Sequence, residues 1–290
     1  MNINKNDQLL EKKSIAGFIL KPDCKVIKDV YFNIKKQFEK HNIEVLLETS
    51  CAKTIGEDGG YEFDTLCIKS DFLVTLGGDG TLISVARRAF SYQKAVMGIN
   101  LGNLGFLTDI MPDELDLFLR DFINGKYRID NRMMIKAIIN GNEVVAFNDI
   151  VISRKDVTGM INLDGFVDEK LFNKYNGDGL IISTPTGSTA YNLSCGGPVV
   201  YPLTDAFIVT PISAHSLTQR PLVLPVDFKI TFKNRNFQSA VVIIDGHDTY
   251  ELKENDIVTI KIASSKAKLI HRVERNYFDV LNKKLQWGAN

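Results

Sequence analysis

A glycine-rich turn carries the clearest chemical signal in the chain. Residues 71–90, DFLVTLGGDGTLISVARRAF, place Gly77, Gly78, Asp79 and Gly80 between an apolar, strand-like run and a helix-like run. Glycines lack a Cβ, so their backbone amides can approach a ligand closely. The first turn of a helix adds free N–H groups and the positive end of the helix dipole. The turn therefore favours a phosphate group, although its spacing matches neither the P-loop nor the dinucleotide fingerprint.

Asp79 has two interpretations. Aspartate is among the best helix N-cap residues, so the side chain could simply cap the following helix. Alternatively, a carboxylate beside a phosphate could orient a substrate hydroxyl and accept its proton late in phosphoryl transfer. A carboxylate is a weak base, so most of its catalytic benefit would come from positioning.

A second polar pair interrupts the apolar segment AFNDIVIS at residues 146–153. Asn148 and Asp149 would be costly to bury there without hydrogen-bond partners. They could mark a turn or bulge between strands. They could also form a recognition pair, because the Asn amide donates and accepts while the carboxylate receives ribose hydroxyls.

The densest polar and glycine-rich stretch is GDGLIISTPTGSTAYNLSCGGPVVYP at residues 177–202. Asp178 precedes a strand-like run, and six hydroxyl side chains follow it. Serine and threonine often close local turns, so the stretch could be structural. Loops of this length are more often functional, and we favour that interpretation.

The first part of the chain alternates strand-like and helix-like patterns, which favours an α/β domain with a parallel sheet. Apolar runs at 16–20, 43–48, 71–76 and 95–100 predict strands. The spacing of Ile27, Val30, Tyr31, Ile34 and Phe38 predicts one face of a helix. Two more helices are expected. One runs through 82–90, and the other covers 112–125, with Pro112 near its first turn and Gly125 at its end.

The second part reads as predominantly β, with a boundary near residues 125–131. Asn140-Gly141 between two β-rich runs predicts a hairpin. Further short β-rich runs follow, and we assign them all, including AKLIH at 267–271, to a β-rich second domain. The tail, residues 276–290 with Trp287, is expected to form a short helix that packs back on the first domain.

Composition narrows the class of protein. The 290 residues suggest about two domains. Lys+Arg and Asp+Glu number 35 each, which argues against a general nucleic-acid binder. No signal peptide or membrane-spanning run is visible. Four scattered cysteines predict ordinary thiols in a cytoplasmic protein, and His41, His215 and His271 show no metal spacing.

Taken together and in this order, the motifs resemble those of the NAD kinase family. GGDGT (77–81), NDIVISR (148–154) and DGLIISTPTGSTAYNLSCGGP (178–198) match its signature blocks. GINLGNLGFL (98–107) and SAHSLTQRPLVLP (213–225) also look like that family. GGDG alone is shared with lipid kinases and phosphofructokinases, whereas the 178–198 block is highly specific.

The resemblance implies ATP-dependent phosphorylation of the adenosine-ribose 2′-hydroxyl of NAD, giving NADP. Asp79 would then be catalytic. The donor phosphates would lie on Gly77, Gly78, Gly80 and Thr81. The implied NAD-binding set is Asp79, Gly80, Phe106, Asn148, Asp149, Asp178, Thr189, Ala190, Tyr191, Asn192, Leu193, Ser194 and His247. Tyr191 would offer a stacking surface, and all these groups would converge on one crevice shaped for adenosine.

The resemblance also implies an α/β N-terminal domain, a β-rich NAD-binding domain and a C-terminal segment that returns to the first. We place these at 1–128 with 271–290, and at 129–270. Members are usually homodimers or homotetramers. No metal-ligand set is visible, so Mg²⁺ is expected to arrive mainly with the donor phosphates of ATP or polyphosphate.

Two positions depart from the family pattern. Asp149 stands where many members have the longer Glu. His247 stands where an amide residue is common, which would add pH dependence. Two other functions stay open at this stage: a GGDG-type kinase for a lipid or sugar, and a non-catalytic NAD(P)-binding sensor.

Overall fold

The computed structural model describes residues 13–22, 27–102, 105–155, 159–236 and 240–286. Cys24, one of the four cysteines, and Trp287, in the predicted tail helix, lie outside these ranges. The chain divides into two compact units. The first comprises Met1–Asp130 and Lys268–Asn290, and the second comprises Asn131–Ala267.

The first unit begins with alternating strands and helices, as the sequence predicts. In chain order they are β1 (Ser14–Leu20), α1 (Ile27–Lys40), β2 (Ile43–Leu47), α2 (Thr49–Ile55), α3 (Phe63–Lys69), β3 (Phe72–Gly77), α4 (Asp79–Arg88), β4 (Ala95–Asn100), α5 (Leu115–Ile123) and β5 (Arg128–Arg132). Strand β3 is buried along its whole length, which is typical of a central parallel strand covered on both faces.

Helix α1 buries the face that its spacing predicts except at Val30, which is half-buried. Ile27, Tyr31, Ile34 and Phe38 lie in the core. The ring of Phe38 meets that of Phe18 on β1 edge to face, with centroids 5.0 Å apart. Such pairs are favourable beyond the area they bury, so this contact fixes the helix against the sheet.

The second unit contains two antiparallel six-stranded sheets and a short helix. In chain order its elements are β6 (Ile135–Ile139), β7 (Asn142–Ala146), β8 (Asp149–Arg154), β9 (Ile161–Val167), β10 (Lys170–Gly177), β11 (Gly179–Ser183), α6 (Tyr191–Ser194), β12 (Ala206–Ile212), β13 (Leu222–Pro225), β14 (Ile230–Asn234), β15 (Ala240–Ile244), β16 (Asp248–Leu252) and β17 (Ile257–Ile262). The strand orders are β10-β9-β14-β17-β6-β7 and β13-β12-β11-β8-β15-β16.

Asn140 and Gly141 form the predicted hairpin between β6 and β7. Both residues have positive φ, 49° and 84°, as a type I′ turn requires. Side chains from both sheets form one apolar core, which includes Ile152, Phe207 and Phe232. Every second residue along each strand points into this core, and the strand ends and loops lie at the edges of the two sheets.

The chain then returns to the first unit through β18 (Ala267–His271) and α7 (Tyr277–Leu285). Strand β18 pairs in parallel with β4, so the first sheet has the order β2-β1-β3-β4-β18-β5. The assignment of AKLIH to the β-rich domain is therefore wrong. A five-residue apolar run looks the same in either sheet, and only its partner strand tells them apart.

Helix boundaries also differ from expectation. Helix α4 begins at Asp79, three residues before the predicted Leu82. Helix α5 begins at Leu115, so Pro112 lies in the turn before it, while Gly125 follows its end with φ of 72°. Helices α2 and α3 were not predicted. Among the residues that the structure describes, no helix is long and apolar enough to cross a lipid bilayer.

Candidate active site

The Asp79 carboxylate binds the loop that follows β4. Its Oδ2 accepts the backbone N–H of Phe106 at 2.7 Å. Its Oδ1 accepts the N–H groups of Leu107 at 3.2 Å and Thr108 at 3.0 Å, and the Thr108 hydroxyl at 2.8 Å. The N-cap of α4 is Gly78, and no side chain caps it. The capping interpretation of Asp79 is therefore wrong.

The two oxygens of Asp79 differ in remaining hydrogen-bond capacity. Oδ1 accepts three hydrogen bonds, whereas Oδ2 accepts one. An ionised carboxylate offers about four acceptor positions on its two oxygens. Oδ2 is therefore the oxygen that can still accept a hydrogen bond from a bound molecule. The Asp79 side chain is half-buried, so it remains partly accessible to solvent.

The glycines around Asp79 divide into two kinds. A Cβ at Gly105 would collide with the Asp79 carboxylate, and a Cβ at Gly77 would collide with Thr81. At Gly78 and Gly80 a Cβ would meet nothing within 4 Å. The first two glycines therefore allow close packing, whereas the last two leave open space beside the backbone.

The first turn of α4 has backbone donors for which the described residues provide no acceptor. Its first helical hydrogen bond runs from the Leu82 N–H to the Gly78 carbonyl at 3.2 Å. The N–H groups of Asp79, Gly80 and Thr81 precede that bond, as expected at a helix start. Together with the helix dipole, they suit an anionic oxygen.

In the second unit, Asp245 organises the Asn148-Asp149 segment. Its carboxylate accepts the backbone N–H groups of Phe147 at 2.9 Å, Asn148 at 2.7 Å and Asp149 at 3.1 Å. The Asn148 carbonyl accepts the N–H of Thr184 at 2.8 Å. This bend between β7 and β8 is thus tied to β15 on one side and to the 183–187 loop on the other.

Asp149 is a recessed acid whose carboxyl has no hydrogen-bond partner among the described residues. The residue is 5% exposed. Burial, followed by the neighbouring Asp245, raises the pKa of Asp149 to about 7. A buried carboxyl without a hydrogen bond destabilises the fold, and a bound ligand could supply the missing donor. Asp149 is therefore a candidate ligand contact.

The predicted 189–194 segment forms the end of a 3₁₀ turn and helix α6. Tyr191 is 47% exposed, and burial, then Cys195, Asp178 and Asp149, raise its pKa. These charges act on the same phenol, so the Asp149, Asp178 and Tyr191 side chains share one region of this unit.

Asn192 has a different setting. It is fully buried, and its amide donates to the Ser188 and Pro198 carbonyls at 3.1 Å each and accepts the Thr210 hydroxyl at 2.6 Å. A Cβ at Gly197 would collide with it. The Asn192 side chain therefore holds the shape of this segment from inside.

Asp178 and His247 lie at the surface of the second unit. The Asp178 Oδ1 is 3.1 Å from the Arg154 Nε. His247 is exposed in the turn between β15 and β16, where its N–H donates to the Ile244 carbonyl at 2.9 Å. Phe106, Gly80 and Asp79 belong to the first unit. Phe106 is half-buried, with the Lys284 Nζ 6.0 Å from its ring centroid.

Sequence reasoning missed three residues that shape these groups: Thr108, Asp245 and Arg275, which donates to the Phe106 carbonyl. Asp245-Gly246 is a turn signal that could have drawn attention, but its partner lies almost one hundred residues away. Within the described residues, no group of three His, Cys, Asp or Glu side chains could hold a metal ion.

The parallel α/β unit offers helix-start amides beside a carboxylate, and the β unit contains a recessed acid. This arrangement suits a phosphotransferase of the GGDG type. The family model of the ATP-NAD kinase N-terminal domain matches residues 8–127, and that of the C-terminal domain matches residues 147–272. The chain belongs to the NAD kinase family.

Similar proteins agree with this membership. The NAD kinase of Sulfurimonas denitrificans is 48% identical over 277 residues, which are 94% of this chain and 97% of that protein. The NAD kinase of Wolinella succinogenes is 44% identical over 97% of this chain and 98% of that protein.

Solved structures show the same fold. A yeast NADH kinase complexed with NADH has a TM-score of 0.87 and 25% identity, covering 96% of this chain and 89% of that one. An Archaeoglobus fulgidus NAD kinase in complex with ATP has a TM-score of 0.76 and 24% identity, covering 93% of this chain and 98% of that one.

Proposed function

We propose that this protein transfers the γ-phosphoryl group of ATP to the 2′-hydroxyl of the adenosine ribose of NAD, giving NADP and ADP. Membership of the NAD kinase family supports the reaction. The observation that carries the assignment of roles is the Asp79 carboxylate, which is fixed by four hydrogen bonds yet keeps acceptor capacity on Oδ2.

Asp79 orients the 2′-hydroxyl through Oδ2. The hydroxyl oxygen forms a bond to the γ-phosphorus, and the bond from that phosphorus to the β,γ-bridging oxygen breaks. The hydroxyl proton passes to Asp79 late in the step, as expected for a loose phosphoryl-transfer transition state. Fixing the carboxylate in advance lowers the cost of reaching that geometry.

The donor phosphates bind at the start of α4. The unused amides of Asp79, Gly80 and Thr81 point toward the incoming anion, and the open space beside Gly78 and Gly80 lets it approach. Gly77 contributes indirectly, since it admits the Thr81 side chain against β3.

The second unit recognises the dinucleotide. Asn148, Asp149 and Asp178 bind hydroxyl or amide groups of NAD, and Tyr191 stacks on a flat ring. Thr189, Ala190, Leu193 and Ser194 line the adenosine, with His247 as a further polar contact. Asn192 serves this site through its buried amide, which shapes the segment. The buried carboxyl of Asp149, which no described side chain neutralises, supports this assignment.

A divalent cation bound with the phosphates of ATP, Mg²⁺ by its preference for phosphate oxygens, would supply charge neutralisation at the transferred group. We propose that this ion is carried mainly by the nucleotide. We further propose a cytoplasmic protein that assembles as a homodimer or homotetramer.

The test is a direct NADP assay with purified protein, Mg²⁺ and NAD, run with ATP and with polyphosphate side by side. NADP formation with either donor supports the proposal. Phosphorylation of a lipid or sugar in the same panel without NADP would favour a related kinase. Tight NAD binding with no transfer would favour a sensor.

A further inference from the structure

A buried ionic cluster lies behind the loop that holds Asp79. Arg275, which follows β18, is 9% exposed, and its Nε lies 3.3 Å from the Asp109 Oδ2. Its Nη1 lies 3.6 Å from the Asp130 Oδ2. Two carboxylates from separate segments of the first unit thus surround one guanidinium.

His271 completes this cluster as a neutral side chain. Its Nε2 lies 3.2 Å from the Arg275 Nη1, and its Nδ1 lies 3.0 Å from the Asp109 Oδ1. Because a guanidinium only donates, Nε2 must accept, which leaves the proton on Nδ1 to donate to Asp109. Burial also lowers the pKa of His271, in agreement with a neutral ring.

The cluster fixes the direction of the remaining donor of Arg275. Its Nη2 donates to the carbonyl oxygen of Phe106. That carbonyl belongs to the same peptide group as the Leu107 N–H, which donates to the Asp79 Oδ1 at 3.2 Å. The Phe106 N–H donates to Oδ2 at 2.7 Å. Consecutive peptide groups therefore connect Arg275 to both oxygens of Asp79.

A positive charge on a peptide carbonyl polarises the N–H of that peptide and strengthens the hydrogen bond it donates. The guanidinium also restrains the 105–108 loop, because its Nε and Nη1 lie within ion-pair distance of Asp109 and Asp130, and Nη1 is 3.2 Å from the His271 Nε2. Both effects act on the orientation of Asp79 and neither requires contact with a substrate.

We propose that Arg275 is a positioning residue for Asp79, acting through the Phe106–Leu107 peptide and held in place by Asp109, Asp130 and His271. The proposal rests on the proposed function for its kinetic consequence, whereas its structural consequence can be measured without turnover. Loss of the guanidinium should lower kcat far more than it changes the KM for NAD.

The experiment compares Arg275→Gln and Arg275→Lys with Arg128→Gln. Arg128 belongs to the same cluster, with its Nε 2.9 Å from the Asp130 Oδ1, but its Nη1 donates to the Arg275 carbonyl rather than to Phe106. Turnover is measured with saturating ATP and varied NAD, and amide hydrogen exchange is followed over residues 105–109. Each Arg275 substitution is also made in the Asp79→Asn background.

We expect Arg275→Gln to lower kcat at least tenfold with less than threefold change in KM for NAD, and to speed exchange at residues 105–109. Arg275→Lys should lower kcat at least fivefold, because one ammonium cannot replace the guanidinium fork. Arg128→Gln should change kcat less than threefold. In the Asp79→Asn background, the Arg275 substitutions should change residual turnover less than twofold.

Equal losses of turnover in both backgrounds, or unchanged kcat and exchange in Arg275→Lys, would overturn the proposal. If Arg275→Gln does not fold, Arg275→Lys decides on the same two readouts. Wild-type protein that forms no NADP would refute the proposed function instead, and unchanged exchange over 105–109 would then refute the positioning role separately.

Discussion

The Oδ2 of Asp79 lies 2.7 Å from the amide nitrogen of Phe106, 27 residues further along the chain. Asp79 follows β3 and Phe106 follows β4, and these strands are parallel neighbours. Both residues therefore lie beyond the carboxyl ends of adjacent strands, where open α/β sheets bind their ligands. Strand order in the first sheet thus brings the carboxylate to its donors.

Replacing Asp79 by Asn should remove nearly all turnover while leaving the fold intact. The amide cannot take the hydroxyl proton, and its NH₂ group would face the Phe106 N–H. We expect kcat to fall by about 10²–10⁴, the usual contribution of a positioned acid or base. Steady-state NADP formation measures this.

Asp71→Asn is the matched control for that substitution. The Asp71 Oδ2 accepts a backbone amide, that of Ile15, at 2.8 Å in the same unit. It should retain turnover within about twofold, whereas near-wild-type turnover in Asp79→Asn would reject the assigned role.

Two glycine substitutions should differ in their effect on the stability of the protein. Gly105→Ala introduces a Cβ into the Asp79 carboxylate, so we expect destabilisation of about 1–3 kcal/mol, as for overpacking elsewhere, together with lost turnover. Gly80→Ala meets no atom within 4 Å, so thermal stability should hold or rise.

The KM for ATP should nevertheless increase at least about tenfold in Gly80→Ala, since the methyl group would obstruct the phosphates. Melting temperature and ATP titration separate the two effects. An unchanged KM for ATP in Gly80→Ala would place the donor elsewhere.

Asp149→Asn should stabilise the protein at neutral and higher pH. Burial and Asp245 raise the pKa of Asp149 from 3.8 to about 7, so the folded protein keeps a proton that the unfolded chain loses. The contribution of the protonated Asp149 to the free energy of unfolding is fully present below about pH 4. It is lost as the pH rises to 7, and the loss is at most about 4 kcal/mol.

Melting curves at pH 5 and pH 8 measure this difference. The gain from Asp149→Asn should be larger at pH 8, where the carboxyl of the wild-type protein is ionised in its buried position. An equal gain in melting temperature at both pH values would contradict the prediction that the buried Asp149 carboxyl holds a proton in the folded protein.

Tyr191→Ala should weaken NAD binding. A base stacked on an aromatic side chain contributes about 1–3 kcal/mol, so the KM for NAD should rise at least about fivefold with little change in that for ATP. Tyr191→Phe should keep most of the affinity. Tyr201, equally exposed at 46%, provides the control, and an equal effect of Tyr201→Ala would count against stacking.

Local patterns predicted most of the fold because they depend on neighbours in sequence. The face of α1 and the Asn140-Gly141 hairpin follow from spacing and turn chemistry. Helices α2 and α3 have only seven residues each, too few for a clear period. Strand β18 was misassigned because its partner, β4, lies about 170 residues earlier.

The site shows the same division. Residue types identified Asp79 and the Asn148-Asp149 pair as candidates, but they did not identify the residues that hydrogen-bond to these segments. Thr108, Asp245 and Arg275 act across 29, 96 and 169 residues of chain. Such contacts depend on strand order, which a single sequence does not reveal. The convergence of Asp79 with the 189–194 segment on one crevice stays a prediction.

The most direct measurement follows the fate of the γ-phosphoryl group. The protein is incubated with γ-labelled ATP, Mg²⁺ and NAD, and the labelled product is tested with a dehydrogenase that accepts NADP but not NAD. We predict label in NADP, on the adenosine 2′-oxygen, and its loss in Asp79→Asn. Label that appears only in inorganic phosphate or in another acceptor would contradict the account.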